Sequence, residues 1–103
     1  MDNWHEVCEV SDLPPGTHRV ISMKGISVLV INVEEQYFAV ENQCPHDGAP
    51  LAGGEIEGDQ IICPRHSARF CLRTGEVLAP PATEDIDSYP VRIVDGTLEI
   101  FMP

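Results

Sequence analysis

Two cysteine–histidine pairs bracket the stretch CPHDGAPLAGGEIEGDQIICPRH (44–66): Cys44 with His46, and Cys63 with His66. One residue separates the members of the first pair, two separate those of the second, and sixteen lie between His46 and Cys63. Thiolate and imidazole are metal ligands, and two matching pairs make two unrelated turns a poor explanation. Zinc accepts two Cys and two His tetrahedrally, but its structural sites space cysteine with cysteine and histidine with histidine. Here each pair is mixed. A binuclear iron–sulfur centre explains the mixing, because each loop then supplies one ligand to each iron, two cysteines on one and two histidines on the other.

The surrounding sequence supplies elements able to hold such loops. Each pair follows a strand-like run, AVENQ before Cys44 and QII before Cys63. Pro45 and Pro64 fix the backbone directly after each cysteine, and four glycines between the pairs allow backbone amides close to sulfur. The signal elsewhere is β. ISVLVINV (26–33) is apolar on both strand faces, and QYFAVE (36–41) follows it across Glu34-Glu35 as a hairpin partner. The alternating runs around Val91 and TLEIFM are split by Asp95-Gly96, a strong hairpin signal. WHEVC, THRVISM, QIIC, ARFCL and GEVL are shorter strand candidates, and no amphipathic helix is evident. The expected fold is all-β: a small antiparallel sandwich or barrel, one domain over 1–103, with a cluster-binding subdomain of short strands and loops inserted at about 44–80.

Length and charge narrow the function. A chain of 103 residues buries a modest core, and a metal staple would help it fold. The absence of an 18-residue apolar run and of a basic, apolar leader predicts a cytoplasmic protein that does not span a membrane. In that compartment metal binding is a better use than disulfides for at least some of the four cysteines. The net charge of −11 argues against nucleic acid or an anionic membrane as partner. Residues 44–75 carry three arginines and four acids, so nearly all the negative charge lies in the rest of the chain.

The pattern Cys44-Pro-His46, sixteen residues, Cys63-Pro-Arg-His66, continued by ARFCLRTGEVLAPP, resembles the Rieske-type iron–sulfur proteins, and with the flanking strands the likeness spans essentially the whole chain. The resemblance implies one 2Fe–2S cluster, with Cys44 and Cys63 on the inner iron, His46 and His66 on the outer, and Leu78-Ala79-Pro80-Pro81 as a covering loop. Two neutral imidazoles in place of two thiolates leave the oxidised core uncharged, so it accepts an electron more readily than an all-cysteine cluster. The respiratory members of the family add a disulfide and two hydroxyl donors; the matching positions here are Ala49, Arg65, Ala68 and Phe70. Lacking these donors, the cluster is expected near the low end of the Rieske range, about −150 mV.

Within the family, the chain resembles the ferredoxin component of aromatic-ring-hydroxylating dioxygenase systems. That implies a soluble, monomeric, one-electron carrier rather than an enzyme. It would take electrons from an NAD(P)H-dependent flavoprotein reductase and deliver them to a terminal oxygenase, docking transiently at the His46/His66 tip. The small subunit of an assimilatory nitrite reductase is the alternative, and a zinc-stabilised module a third. No nucleophile–base pair or two-His, one-carboxylate iron site is evident. Among the remaining residues, His5 and His18 read as surface or edge-strand histidines and Cys8 and Cys71 as reduced thiols. Arg69 and Arg73 read as partners of nearby acids, and Arg65 as a docking residue.

Overall fold

The run ISVLVINV becomes a strand whose central side chains, Val28 to Ile31, are buried on both faces, and the fold is arranged around it. The computed structural model describes residues 3–45 and 48–102. In chain order its strands are β1 (Trp4–Glu9), β2 (His18–Met23), β3 (Ile26–Val33), β4 (Gln36–Glu41), β5 (Ile56–Glu57), β6 (Gln60–Ile62), β7 (Arg69–Cys71), β8 (Val77–Ala79), β9 (Ser88–Tyr89), β10 (Val91–Val94) and β11 (Thr97–Phe101). They form three antiparallel sheets, ordered β1-β11-β10, β2-β3-β4-β9 and β5-β6-β7-β8. Among the described residues there is no α-helix, only a 3₁₀ turn at Val10–Asp12, and no helix is long and apolar enough to cross a membrane.

Alternation along β3 and β4 sends side chains to two cores. Val28, Val30 and Ala39 face the first sheet and pack with Leu13, Leu98, Ile100 and Met102. Leu29, Ile31, Phe38 and Val40 face the other way, into a core shared with Cys44, Leu51, Ile61, Cys63, Ala68, Phe70, Leu72, Ala82 and Ile86. The second core joins the β-sandwich to the third sheet and its loops. Across its rim Arg73 donates to Asp59 (3.1 Å) and to Gln36 on β4 (2.8 Å), its guanidinium lying over the Phe38 ring. Arg69 pairs with Glu57 at 3.0 Å. Both arginines thus meet neighbouring acids, as expected.

The all-β expectation matches the structure. ISVLVINV and QYFAVE form β3 and β4 with the expected limits, ARFCL narrows to Arg69–Cys71, and the GEVL strand moves to Val77–Ala79. Three two-residue turns, Lys24-Gly25, Glu34-Glu35 and Asp95-Gly96, have both residues at positive φ, which matches the twist of the strands they join. Glu34-Glu35 has no glycine to ease that geometry. The buried Asn32 side chain holds it instead, its Oδ1 accepting the Glu35 N–H at 2.8 Å. Pro90 marks the point where the chain leaves the second sheet (β9) for the first (β10), a position that needs no ladder donor.

Candidate metal centre

Cys44 and Cys63 are 0% and 1% exposed and lie in the same core, floored by Leu29, Ile31, Phe38 and Val40. Their two loops share one backbone design. The Cys44 N–H donates to the Ala49 carbonyl at 2.8 Å, and the Cys44 carbonyl accepts the Gly48 N–H at 2.7 Å. In the second loop the Cys63 N–H donates to the Ala68 carbonyl at 2.7 Å, and the Cys63 carbonyl accepts the Ser67 N–H at 3.0 Å. The fourth residue after each cysteine has positive φ, 77° at Gly48 and 63° at Ser67. Glycine adopts that conformation freely; for Ser67 it costs about 1 kcal/mol, offset by the two bonds that close the loop.

The same hydrogen-bond pattern recurs in CLRTGE. There the Cys71 N–H meets the Glu76 carbonyl at 2.9 Å, the Gly75 N–H meets the Cys71 carbonyl at 2.7 Å, and Gly75 has a φ of 80°. That turn joins β7 to β8 and contains no histidine. The turn shape is therefore a general solution for a tight hairpin. What sets the first two apart is a histidine inside the turn together with a fully buried cysteine.

His66 is exposed on the second loop, as are Pro64 and Arg65. His46 lies outside the described residues, and among those described no group of three or more His, Cys, Asp or Glu side chains gathers as a metal cage. No two of the four cysteines are joined by a disulfide. Ala49, Ala68 and Phe70 are buried beside the cysteine loops, whereas Arg65 faces solvent. Beyond Leu78, Pro80 and Pro81, which are exposed, residues 82–87 are stitched back onto the sheets. The Asp85 carboxylate accepts the Val77 N–H (2.9 Å), the Gly75 carbonyl the Ile86 N–H (2.9 Å), and the Asp87 carbonyl the Glu41 N–H (2.9 Å).

Two buried thiols on paired tight turns and an exposed imidazole on one of those turns are a suitable donor set for one iron inside and one near solvent. Comparison with known proteins gives the same chemistry: residues 3–90 match the Rieske [2Fe-2S] domain. The chain belongs to this family. Membership implies one Rieske-type 2Fe–2S cluster. Among curated proteins, the biphenyl dioxygenase ferredoxin subunit of a Pseudomonas species is 38% identical over 89 residues, covering 85% of this chain and 82% of its own. Among solved structures, the ferredoxin of carbazole 1,9a-dioxygenase from Nocardioides aromaticivorans superposes with a TM-score of 0.91 at 26% identity, covering 99% of this chain and all of its own. A chain in a complex of reduced oxygenase and oxidised ferredoxin of carbazole 1,9a-dioxygenase superposes at 0.89 with 32% identity, covering 98% of this chain and 94% of that one.

Sequence reasoning missed two residues that shape the loops around the buried cysteines. Asn42, nearly buried, ties the first loop together through its carboxamide, and Gly75 receives the segment beyond the prolines at a point where no side chain fits. An asparagine between a strand and a loop is a local signal for side-chain-to-backbone bonding. Nothing local to Gly75 announces its contact with Ile86.

Proposed function

We propose that this protein is a low-potential one-electron carrier, not an enzyme, working between an NAD(P)H-dependent flavoprotein reductase and a ring-hydroxylating terminal oxygenase. The observation that carries the reading is the pair of matching cysteine turns, both sulfurs at depth and His66 at the surface. In it Cys44 and Cys63 hold one iron and His46 and His66 the other, within a cluster-binding unit of about residues 44–80 in a single domain. When bound, the cluster supplies one reversible electron. The core around Leu51, Ile61 and Phe70 keeps water from the two thiolates, and the exposed His66 edge brings the site within a short distance of a docked partner. Arg65, also exposed beside His66, gives the docking face a cation on an otherwise acidic molecule.

The relatives support this partner class. They are ferredoxin components of dioxygenase systems, one of them in a structure with its oxygenase. A cytoplasmic monomer forming small, short-lived contacts with each partner is consistent with that role. The test is reconstitution. The purified red-brown protein, mixed with the reductase and oxygenase of a biphenyl dioxygenase system, should restore NAD(P)H-dependent turnover. Cys44→Ser and Cys63→Ser should each lose the reduced-state EPR signal and that turnover. A colourless wild-type protein carrying one zinc per chain would overturn the reading.

A further inference from the structure

The two cysteine loops share a turn but not a foundation. The second is the tip of a ladder: β6 leads in, β7 leads out, and Ile61 and Ile62 pair with Phe70 and Arg69. The first leaves β4 at Glu41 and, among the described residues, enters no strand until Ile56, so no ladder is seen to close it.

We infer that Asn42 is the positioning residue that takes the place of that ladder. Its Oδ1 accepts the N–H groups of both Leu51 and Ala52 at 2.9 Å, joining the entry of the loop to its exit. Its Nδ2 donates to the Ser27 Oγ at 3.1 Å, and its backbone N–H donates to the Ser27 carbonyl at 2.9 Å, so the clamp is bolted to β3. The side chain is 9% exposed. Leu51, one of the residues it holds, is fully buried in the core that contains Cys44 and Cys63. Between the clamped ends lies Cys44, so its placement relative to the second loop depends on the carboxamide oxygen.

Asn32 provides the contrast. It is equally a buried asparagine bonded to backbone, donating to the Leu13 carbonyl at 2.8 Å and accepting from Glu35, but it fastens the β3–β4 turn and the segment before β2. A purely structural asparagine would behave like Asn32.

The inference deepens the proposed function and rests on Cys44 and His46 being ligands. Three variants of the cluster-loaded protein test it, read by the g-values of the reduced EPR signal and by iron release to a ferrous chelator. Asn42→Ala strands two backbone donors and should shift the g-values and release iron about tenfold faster. Asn42→Asp keeps both acceptor bonds, with the Ser27 hydroxyl turning to donate, and should stay within about twofold of wild type. Asn32→Ala should lower thermal stability with wild-type g-values and iron release. Asn42→Ala with a wild-type spectrum and no faster release than Asn32→Ala overturns the inference, as does Asn42→Asp behaving like Asn42→Ala. If Asn42→Ala assembles no cluster, Asn42→Asp decides: a wild-type spectrum supports the clamp and failure to load refutes it. Error in the ligand assignment shows separately, as a wild-type cluster in Cys44→Ser.

Discussion

Gly75 and Gly96 have the same backbone conformation, φ of 80° and 79°, and different surroundings. A Cβ on Gly96 would meet nothing within 4 Å, whereas one on Gly75 would run into the carbonyl oxygen of Ile86. Gly96→Ala therefore isolates the cost of alanine in the left-handed region, about 1 kcal/mol. In a domain of this size that lowers the apparent Tm by about 4–8 °C. Gly75→Ala carries the same cost and also forces the Ile86 carbonyl away. The displacement costs about 1–3 kcal/mol, and loss of the Ile86 N–H to Gly75 carbonyl bond about 1 kcal/mol more. The total is about 3–5 kcal/mol, which places Gly75→Ala roughly 10 °C or more below Gly96→Ala. Because Ile86 anchors the segment after Pro80-Pro81 to the core around the cysteines, Gly75→Ala should also release iron to a chelator faster than Gly96→Ala. Thermal scans at one heating rate, followed at the cluster's visible absorbance, measure the first effect and stopped-flow chelation the second. Melting temperatures within about 2 °C of each other, or equal release rates, would refute the reasoning.

Ala68→Ser should raise the midpoint potential. A hydroxyl donor at this buried position, worth about 1 kcal/mol more in the reduced state, corresponds to about 40 mV for one electron; potentiometry showing no rise would count against the low-potential reading. Tyr89 has a buried hydroxyl oxygen with no partner among the described residues, and its pKa is raised from 10.0 first by burial and then by Asp87 and Glu41. The folded protein therefore keeps this proton after the unfolded chain has lost it. The contribution of Tyr89 to stability is constant below pH 10 and falls as pH rises from about 10 through the higher folded value. Tyr89→Phe should flatten the fall, which denaturant titrations at pH 9, 10 and 11 will show; an unchanged slope would exclude Tyr89 as its source.

Where a signal is local, the sequence made the fold legible. β3 and β4 were readable to the residue because burial on both faces leaves an unbroken apolar run, and Asp95-Gly96 announced its hairpin by residue type. Glu34-Glu35 was readable only from its flanking strands, since the Asn32 bond that stabilises the turn is made by side-chain geometry. β5 escaped because two residues, Ile56–Glu57, are too few to show alternation. At the site, the types and spacing of Cys44, His46, Cys63 and His66 suggested the chemistry. The depth of the two cysteines and the kinship of their turns emerged only from the packed structure. Asn42 and the meeting of Gly75 with Ile86 depend on contacts between separate segments, and His46 lies outside the described residues.

The two-faced burial of β3 also bears on transplantation. Residues 44–80 carry the two cysteine turns, but Leu29, Ile31, Phe38 and Val40 beneath them belong to β3 and β4. Excised as a cassette, the segment would leave these four side chains behind, together with Ala82 and Ile86, and present the rest of that core to water. An engineer moving this redox centre to another host must either carry these two strands along or find a recipient sheet with four apolar side chains in the same array. The smallest portable unit is therefore larger than the two cysteine loops, and it begins at β3.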